Sequence, residues 1–234
     1  MDISKSLNQQ KTVVGLSATT GIILYGVFGA VRLVIGYFLP RIAAWAVTLP
    51  WLPFEGLIKL INSFNGPWLT IIMAVLGLIA GLVIAYIAIK ESLIITITDQ
   101  EVQLKKDENT QTIALKDIDT VFFDGKQLVI LGISGFELAR EKNDESAIQV
   151  AKAFKKHGYP FSSEGGPFKD EYIRWVLDTP DISLAANALM RAQEKALQKK
   201  EAEDIKDLRN ELAKLGYIVR DEGTRQYWRR VSLR

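Results

Sequence analysis

Two kinds of hydrophobic pattern divide the chain. From Trp68 to Ile89 the residues WLTIIMAVLGLIAGLVIAYIAI run for 22 positions without a charge and end at Lys90-Glu91. At 1.5 Å per residue such a helix matches a hydrocarbon core of about 30 Å, and it has no polar face to turn toward water. The pattern predicts a spanning helix over 68–89, with Trp68 and Tyr86 at the two interfaces. A second apolar run, Val13 to Leu39, contains Arg32. A guanidinium at the bilayer centre costs about 2.5 to 3.5 kcal/mol, so the first span is placed at about 13–31, with Arg32 snorkelling at its end. That run is too long, and too rich in Thr and Tyr, for the core of a cleavable signal peptide.

Small residues mark both spans. Gly15, Gly21, Gly26 and Gly29 in the first, and the Gly77 and Gly81 pair in the second, predict close helix packing, within the chain or by self-association through the Gly-rich spans. Between the spans, residues 32–67 are broken by Pro40, Pro50, Pro53 and Pro67 yet stay apolar through Trp45, Trp51, Phe54, Leu57 and Phe64. This connector reads as amphipathic segments in the headgroup region, Arg41 and Lys59 facing phosphates; a third span or a re-entrant loop is the alternative.

After Lys90 the period changes to two. Leu93, Ile95 and Ile97 alternate with Ile94, Thr96 and Thr98, and further strands are expected at 102–106, 110–115, 121–123, 127–131 and 136–138. The turns carry Asp107-Glu108-Asn109, Asp124-Gly125-Lys126, Gly132 and Gly135. A helix capped by Asn143 or Asp144 follows, with Ile148, Ala151 and Phe154 on one side, ended by Gly158 and Pro160. A connector, 161–182, leads to a helix pair. Leu184, Ala188, Ala192 and Ala196 form the stripe of its first helix, and Ala202, Ile205, Leu208, Leu212 and Leu215 that of its second. Gly216 ends the pair, and Tyr217–Arg220 with Arg225–Val231 read as a hairpin turning at Asp221-Glu222-Gly223-Thr224.

Charge sharpens the division. The first 89 residues hold only Asp2, Lys5, Lys11, Arg32, Arg41, Glu55 and Lys59 as charged groups. Residues 90–160 hold ten basic and twelve acidic residues, a poor surface for polyphosphoinositides or nucleic acid. Residues 183–234 hold twelve basic and eight acidic residues, and Arg220, Arg225, Arg229, Arg230 and Arg234 gather beside Tyr227 and Trp228. Guanidinium groups pair with phosphates and aromatic rings stack unpaired bases, the chemistry of single-stranded RNA recognition; packing of Trp228 on the helix pair is the competing reading. The chain has no Cys and one His, so it has no thiolate nucleophile and no Cys-ligated zinc. Asp117, Asp119 and Asp124 lack EF-hand spacing and read as loop charges. His157 is expected to help cap its helix, and no Ser/His/Asp or P-loop arrangement is legible.

Short strands in hairpins closed by one helix resemble bacterial pleckstrin-homology-like (PH-like) domains, over about 90–161. The run from Lys199 to Arg230, KKEAEDIKDLRNELAKLGYIVRDEGTRQYWRR, resembles the C-terminal domain of bacterial cysteinyl-tRNA synthetases. Leu208-Arg209-Asn210-Glu211-Leu212 and Gly216 match it position by position, while Asp221, Gly223-Thr224 and Trp228 match with a small shift in the turn. Two spans, a PH-like domain and this tail together resemble the YqeB-like bacterial membrane protein family. The synthetase domain contacts the anticodon region of tRNA, so the resemblance implies RNA binding through Arg209, Arg220, Arg225, Tyr227, Trp228, Arg229 and Arg230.

The expected architecture is an α+β membrane protein. It comprises a membrane region at 1–89 with spans at 13–31 and 68–89, a PH-like β domain with a C-terminal helix at 90–160, a connector at 161–182, and a synthetase-tail-like helical hairpin with terminal β-hairpin at 183–234. The bilayer is the first partner, with Arg32, Arg41, Trp45, Trp51, Trp68 and Lys90 at its interfaces. No catalysis, cofactor or metal is expected. The functional expectation is a bacterial cell-membrane protein whose cytoplasmic tail binds tRNA or another structured RNA; the alternative is a scaffold whose PH-like and tail domains bind protein partners. Positive charge is nearly balanced across the spans and does not choose a side.

Overall fold

The computed structural model describes residues 11–16, 18–46, 56 and 67–231. Among these the chain forms two compact units, one of residues 15–94 with 104–110, the other of 11–14, 95–103 and 111–231.

The first unit is built on two helices, α1 (Ala18–Ala46) and α2 (Pro67–Lys90), both long and apolar enough to cross a membrane, over Thr19–Ile42 and Pro67–Lys90. They run antiparallel: Gly21 lies against Ile89, Gly29 against Leu78 and Leu82, and Gly36 against Met73. Glycine makes this approach possible. A Cβ at Gly36 would strike the Met73 carbonyl, one at Gly77 the Arg32 carbonyl, and one at Gly81 the Phe28 carbonyl. The seam therefore consumes Gly29, Gly77 and Gly81 within one chain and adds Gly36, while a Cβ at Gly26 would meet nothing within 4 Å.

The start and end of α1 differ from the expectation. Thr12–Val14 is strand β1, and the helix runs on through Arg32 and Pro40 to Ala46. Arginine is a good helix former, and the stem of Arg32 lies against Gly81, so Arg32 occupies the middle of the helix and not its end. Pro40 costs a backbone hydrogen bond without breaking the helix. Arg41 donates to the Tyr37 hydroxyl at 3.3 Å and lies over its ring, Trp45 and Trp68 are exposed, and Lys90 pairs with Asp107 at 3.3 Å. The connector readings that rest on 47–55 and 57–66, Trp51 and Lys59 included, lie outside the described residues, as does Arg234 of the tail.

The second unit is mixed α+β. One sheet, whose residues are divided between the two units, has the order β1-β2-β3-β4, with β2 (Ile94–Ile97), β3 (Glu101–Lys106) and β4 (Asn109–Ala114). Strand β1 pairs antiparallel with β2, Thr12 opposite Ile97 and Val14 opposite Ile95. The second sheet has the order β7-β6-β5-β8, with β5 (Ile118–Asp124), β6 (Gln127–Gly132), β7 (Glu137–Lys142) and β8 (Phe161–Ser162), the last parallel to β5. In β6 the run from Leu128 to Gly132 is buried without alternation. Val129 and Leu131 pack with Phe122 and Phe168 on one face, which leaves Leu128 and Ile130 for the other.

Helix α3 (Ala147–Lys156) buries Val150, Ala153 and Phe154, while Ile148 is 68% exposed. Its N-cap is Ser146, and Asn143 instead donates to the Glu145 carbonyl. In the tail, Ser183 caps α4 (Leu184–Lys199), accepting from the Ala186 N–H at 3.1 Å. The buried stripe of α4 is Ala186, Asn187, Met190, Gln193 and Ala196, and Leu184 is 89% exposed. Two amides could enter this stripe because each finds a partner: Asn187 accepts from the Trp175 indole at 3.0 Å and donates to the Thr179 carbonyl at 2.9 Å, and Gln193 donates to Asp221. Helix α5 (Ala202–Lys214) buries Leu212 and leads through Gly216 (φ +85°) to β10 (Tyr217–Glu222) and β11 (Arg225–Arg230). A strand inside the expected connector, β9 (Ile173–Arg174), joins them in the order β10-β11-β9.

Candidate nucleic-acid interface

Alternation along β10 and β11 decides which side chains of the tail meet solvent. Tyr217 and Val219 share one face with Trp228, opposite Val219, and pack into the core with Met190 and Leu212; Trp228 is 6% exposed and meets Tyr217 edge-on at 5.7 Å. A ring so placed does not stack a base, so Trp228 leaves the candidate RNA set for the core. The other face carries Arg220 opposite Tyr227, Glu222 opposite Arg225, and Ile218 opposite Arg229, with Arg174 of β9 opposite Tyr227.

Of the arginines that the sequence pattern nominates, three are engaged internally. Arg209 pairs with Asp221 at 2.5 Å, its side chain 15% exposed. Arg220 lies 3.1 Å from Asp124 and 3.0 Å from Glu222. Arg229 is buried, donates to the Gly135 carbonyl at 2.5 Å and lies 4.2 Å above the Phe168 ring. Arg225 and Arg230 are exposed, Arg230 over the Tyr217 ring at 5.9 Å, and Tyr227 is half-buried. Arg174, exposed beside Tyr227, completes a patch of Arg174, Arg225 and Tyr227 on one sheet face. Two strand residues in a Ser- and Gly-rich connector carry too little periodicity to announce it.

The buried arginines tie the tail to the PH-like sheets. Arg140 donates to Glu137 at 2.7 and 2.8 Å and to Asp124 at 2.8 Å. Burial opposes its charge, and the two carboxylates outweigh that, holding its pKa above the ordinary arginine value. Asp124 is thus a half-buried hub between Arg140 and Arg220, not a loop charge. Around it lies a cavity of about 260 Å³, walled by Phe122, Leu131, Phe168 and Tyr172 and reached by Arg140, Arg220 and Arg229.

His157 does more than cap α3. Its ring is buried between the Thr12 hydroxyl, 2.7 Å from Nε2, and Asp99, 2.5 Å from Nδ1, so it links β1 to the β2–β3 turn. Hydroxyl, imidazole and carboxylate stand in the order of a proton relay, yet Thr12 and His157 do not line the cavity at Asp124. Among the described residues no group of three or more His, Asp and Glu side chains is placed to hold a metal ion.

Comparison with known proteins places this geometry. The model of the YqeB-like bacterial PH domain matches residues 12–162, and so takes in β1 and both helices of the hairpin. The model of the cysteinyl-tRNA ligase anticodon binding domain matches residues 179–229. The uncharacterized protein YqeB of Bacillus subtilis (strain 168) is 48% identical over 225 residues, covering 96% of this chain and 94% of its own. No solved structure matches the chain.

Proposed function

The chain belongs to the family of the YqeB-like bacterial PH domain, and from that premise we propose that it is a non-catalytic, membrane-anchored protein whose cytoplasmic tail binds tRNA or another structured RNA. Two apolar helices support the anchor. Thr19–Ile42 holds 24 residues, about 36 Å of helix, enough for a core of about 30 Å. Arg32 in its middle is the feature a lipid-exposed helix tolerates least, and its stem lies on Gly81, where no competing side chain stands. The two matched domains are of PH-like and anticodon-binding-like kind, neither one a catalytic domain.

The observation that carries the RNA reading is the patch formed by Arg174, Tyr227 and Arg225, exposed cations flanking a half-exposed ring, of which Tyr227 and Arg225 lie in the part matched by an anticodon-binding model. Guanidinium groups at such spacing bind phosphates while the ring offers a stacking surface. The test uses full-length protein in detergent micelles, titrated with bulk tRNA at several salt concentrations. Affinity should fall as salt rises, with a slope of about 0.7 to 0.9 per phosphate contact, and Arg174→Glu with Arg225→Glu should weaken binding about tenfold or more at unchanged thermal stability. Absence of binding at physiological salt, or an affinity indifferent to salt, sinks the RNA reading and leaves a protein scaffold as the function of the tail.

A further inference from the structure

The carboxylates around Asp124 are not shared evenly among the arginines. Arg140 is matched by Glu137 and Asp124, and Arg220 by Asp124 and Glu222. Arg229 differs. It is 4% exposed, its nearest polar partner is the Gly135 carbonyl, its Nε has no hydrogen-bond partner, and no carboxylate pairs with it among the described residues. A buried guanidinium without a counter-ion is costly, the Phe168 ring 4.2 Å away offsets part of that cost, and an anion entering beside it would offset more. Arg229 also lines the cavity of about 260 Å³, which is open space beside the uncompensated charge.

We propose that this cavity is a binding site for a small anionic molecule, whose carboxylate or phosphate group pairs with Arg229 and whose apolar body lies against Phe122, Phe168 and Tyr172. The phenol of Tyr172 supplies a second contact. Burial, and then the charge of Glu137, raise its pKa while Arg229, hydrogen-bonded to it, opposes them. The phenol keeps its proton, its oxygen accepts from Arg229, and the O–H is left to donate to the anion. A volume near the lower end of small-molecule pockets is too small for a polynucleotide, and Arg174, Tyr227 and Arg225 do not line it. Asp124 and Glu137 set the selectivity. Already paired with Arg140, they repel a ligand carrying a second anionic group and leave room for one anionic head at Arg229.

The test uses the full-length protein in detergent micelles and four probes: benzoate, phenyl phosphate, inorganic phosphate and the neutral benzyl alcohol. Ligand-detected NMR and thermal shift should show saturable binding of benzoate or phenyl phosphate, at least about tenfold tighter than benzyl alcohol, with the melting temperature rising as free ligand rises. Displacement by inorganic phosphate would show that the anionic head alone holds the site; failure to displace would show that the aryl body is required, and either outcome supports an anion site. Arg229→Gln should weaken the anions about tenfold or more and leave benzyl alcohol unchanged. Should that variant not fold, Tyr172→Phe, which keeps the cavity wall, should weaken the anions several-fold. The proposal is overturned if no anion binds the wild-type protein up to about 10 mM at physiological salt, or if benzyl alcohol binds as well as benzoate and phenyl phosphate. Equal anion binding by wild type and a folded Arg229→Gln overturns it too. Because the tRNA titration reads Arg174 and Arg225, neither of which lines the cavity, either reading can fail alone.

Discussion

Individual residues in this protein are sorted by whether a partner far away in sequence claims them. Arg209, Arg220 and Arg229 look alike in a basic hairpin, but Asp221, Asp124 and the Gly135 carbonyl take one each. Tyr159 shows the same sorting and yields a pH prediction. Its hydroxyl donates to the Thr98 carbonyl at 2.9 Å, and burial, followed by the charges of Asp99 and Glu101, pushes its pKa up to about 12 from 10.0. The fold therefore favours the neutral phenol. Its contribution to stability is complete below pH 10, the unfolded value, and is lost as pH rises toward 12. Denaturant midpoints measured across that window should fall less steeply for Tyr159→Phe than for wild type; parallel curves would show that another group governs alkaline unfolding.

At the scale of elements, the helical hairpin depends on backbone contact more than on side-chain interdigitation. Gly36 faces the Met73 carbonyl too closely for any Cβ, whereas Gly26 faces open space. Gly36→Leu should force α1 and α2 apart, and Gly26→Leu should not. The native chain has no Cys, so Gly21→Cys with Ile89→Cys reports on the pair alone: a Cβ at Gly21 would lie 3.7 Å from Ile89 Cδ1. Cross-linking of that cysteine pair should disappear in the Gly36→Leu background and persist with Gly26→Leu. Equal yields in both backgrounds would refute the seam. Element type is legible in the sequence here and element edges are not. Thr12–Val14 continues directly into an apolar run, and only its pairing with β2, more than eighty residues later, makes it a strand. The buried face of α4 departs from the apolar stripe for a related reason, since Asn187 and Gln193 count as polar until Trp175 and Asp221 satisfy them.

For the whole molecule, chain topology constrains sidedness. The chain leaves β1 for α1 and returns from α2 into β2, the strand paired with β1. If the hairpin inserts in a bilayer, β1 and β2 emerge into the same compartment. Lys11→Cys and Lys199→Cys, each a single exposed cysteine in a Cys-free protein, should react together with a membrane-impermeant maleimide in inverted vesicles and be protected together in right-side-out ones. Labelling of one without the other contradicts the hairpin topology, and labelling of both in right-side-out vesicles contradicts the cytoplasmic tail.

Sequence by itself determined the large divisions: two apolar helices, an α+β region of short strands, and a helix pair ending in a basic hairpin. Those follow from period and composition, because the hydrophobic effect acts on each segment before it meets any other. Tertiary structure decided which charges are spent and which are free. It buried Trp228 and Arg229, paired Arg209 and Arg220, left Arg225 on one face with the unforeseen Arg174, and set a cavity beside an arginine that pairs with no carboxylate among the described residues. Ion pairing and desolvation depend on positions in space, and residues such as Asp124 and Arg220 stand almost a hundred places apart in the chain.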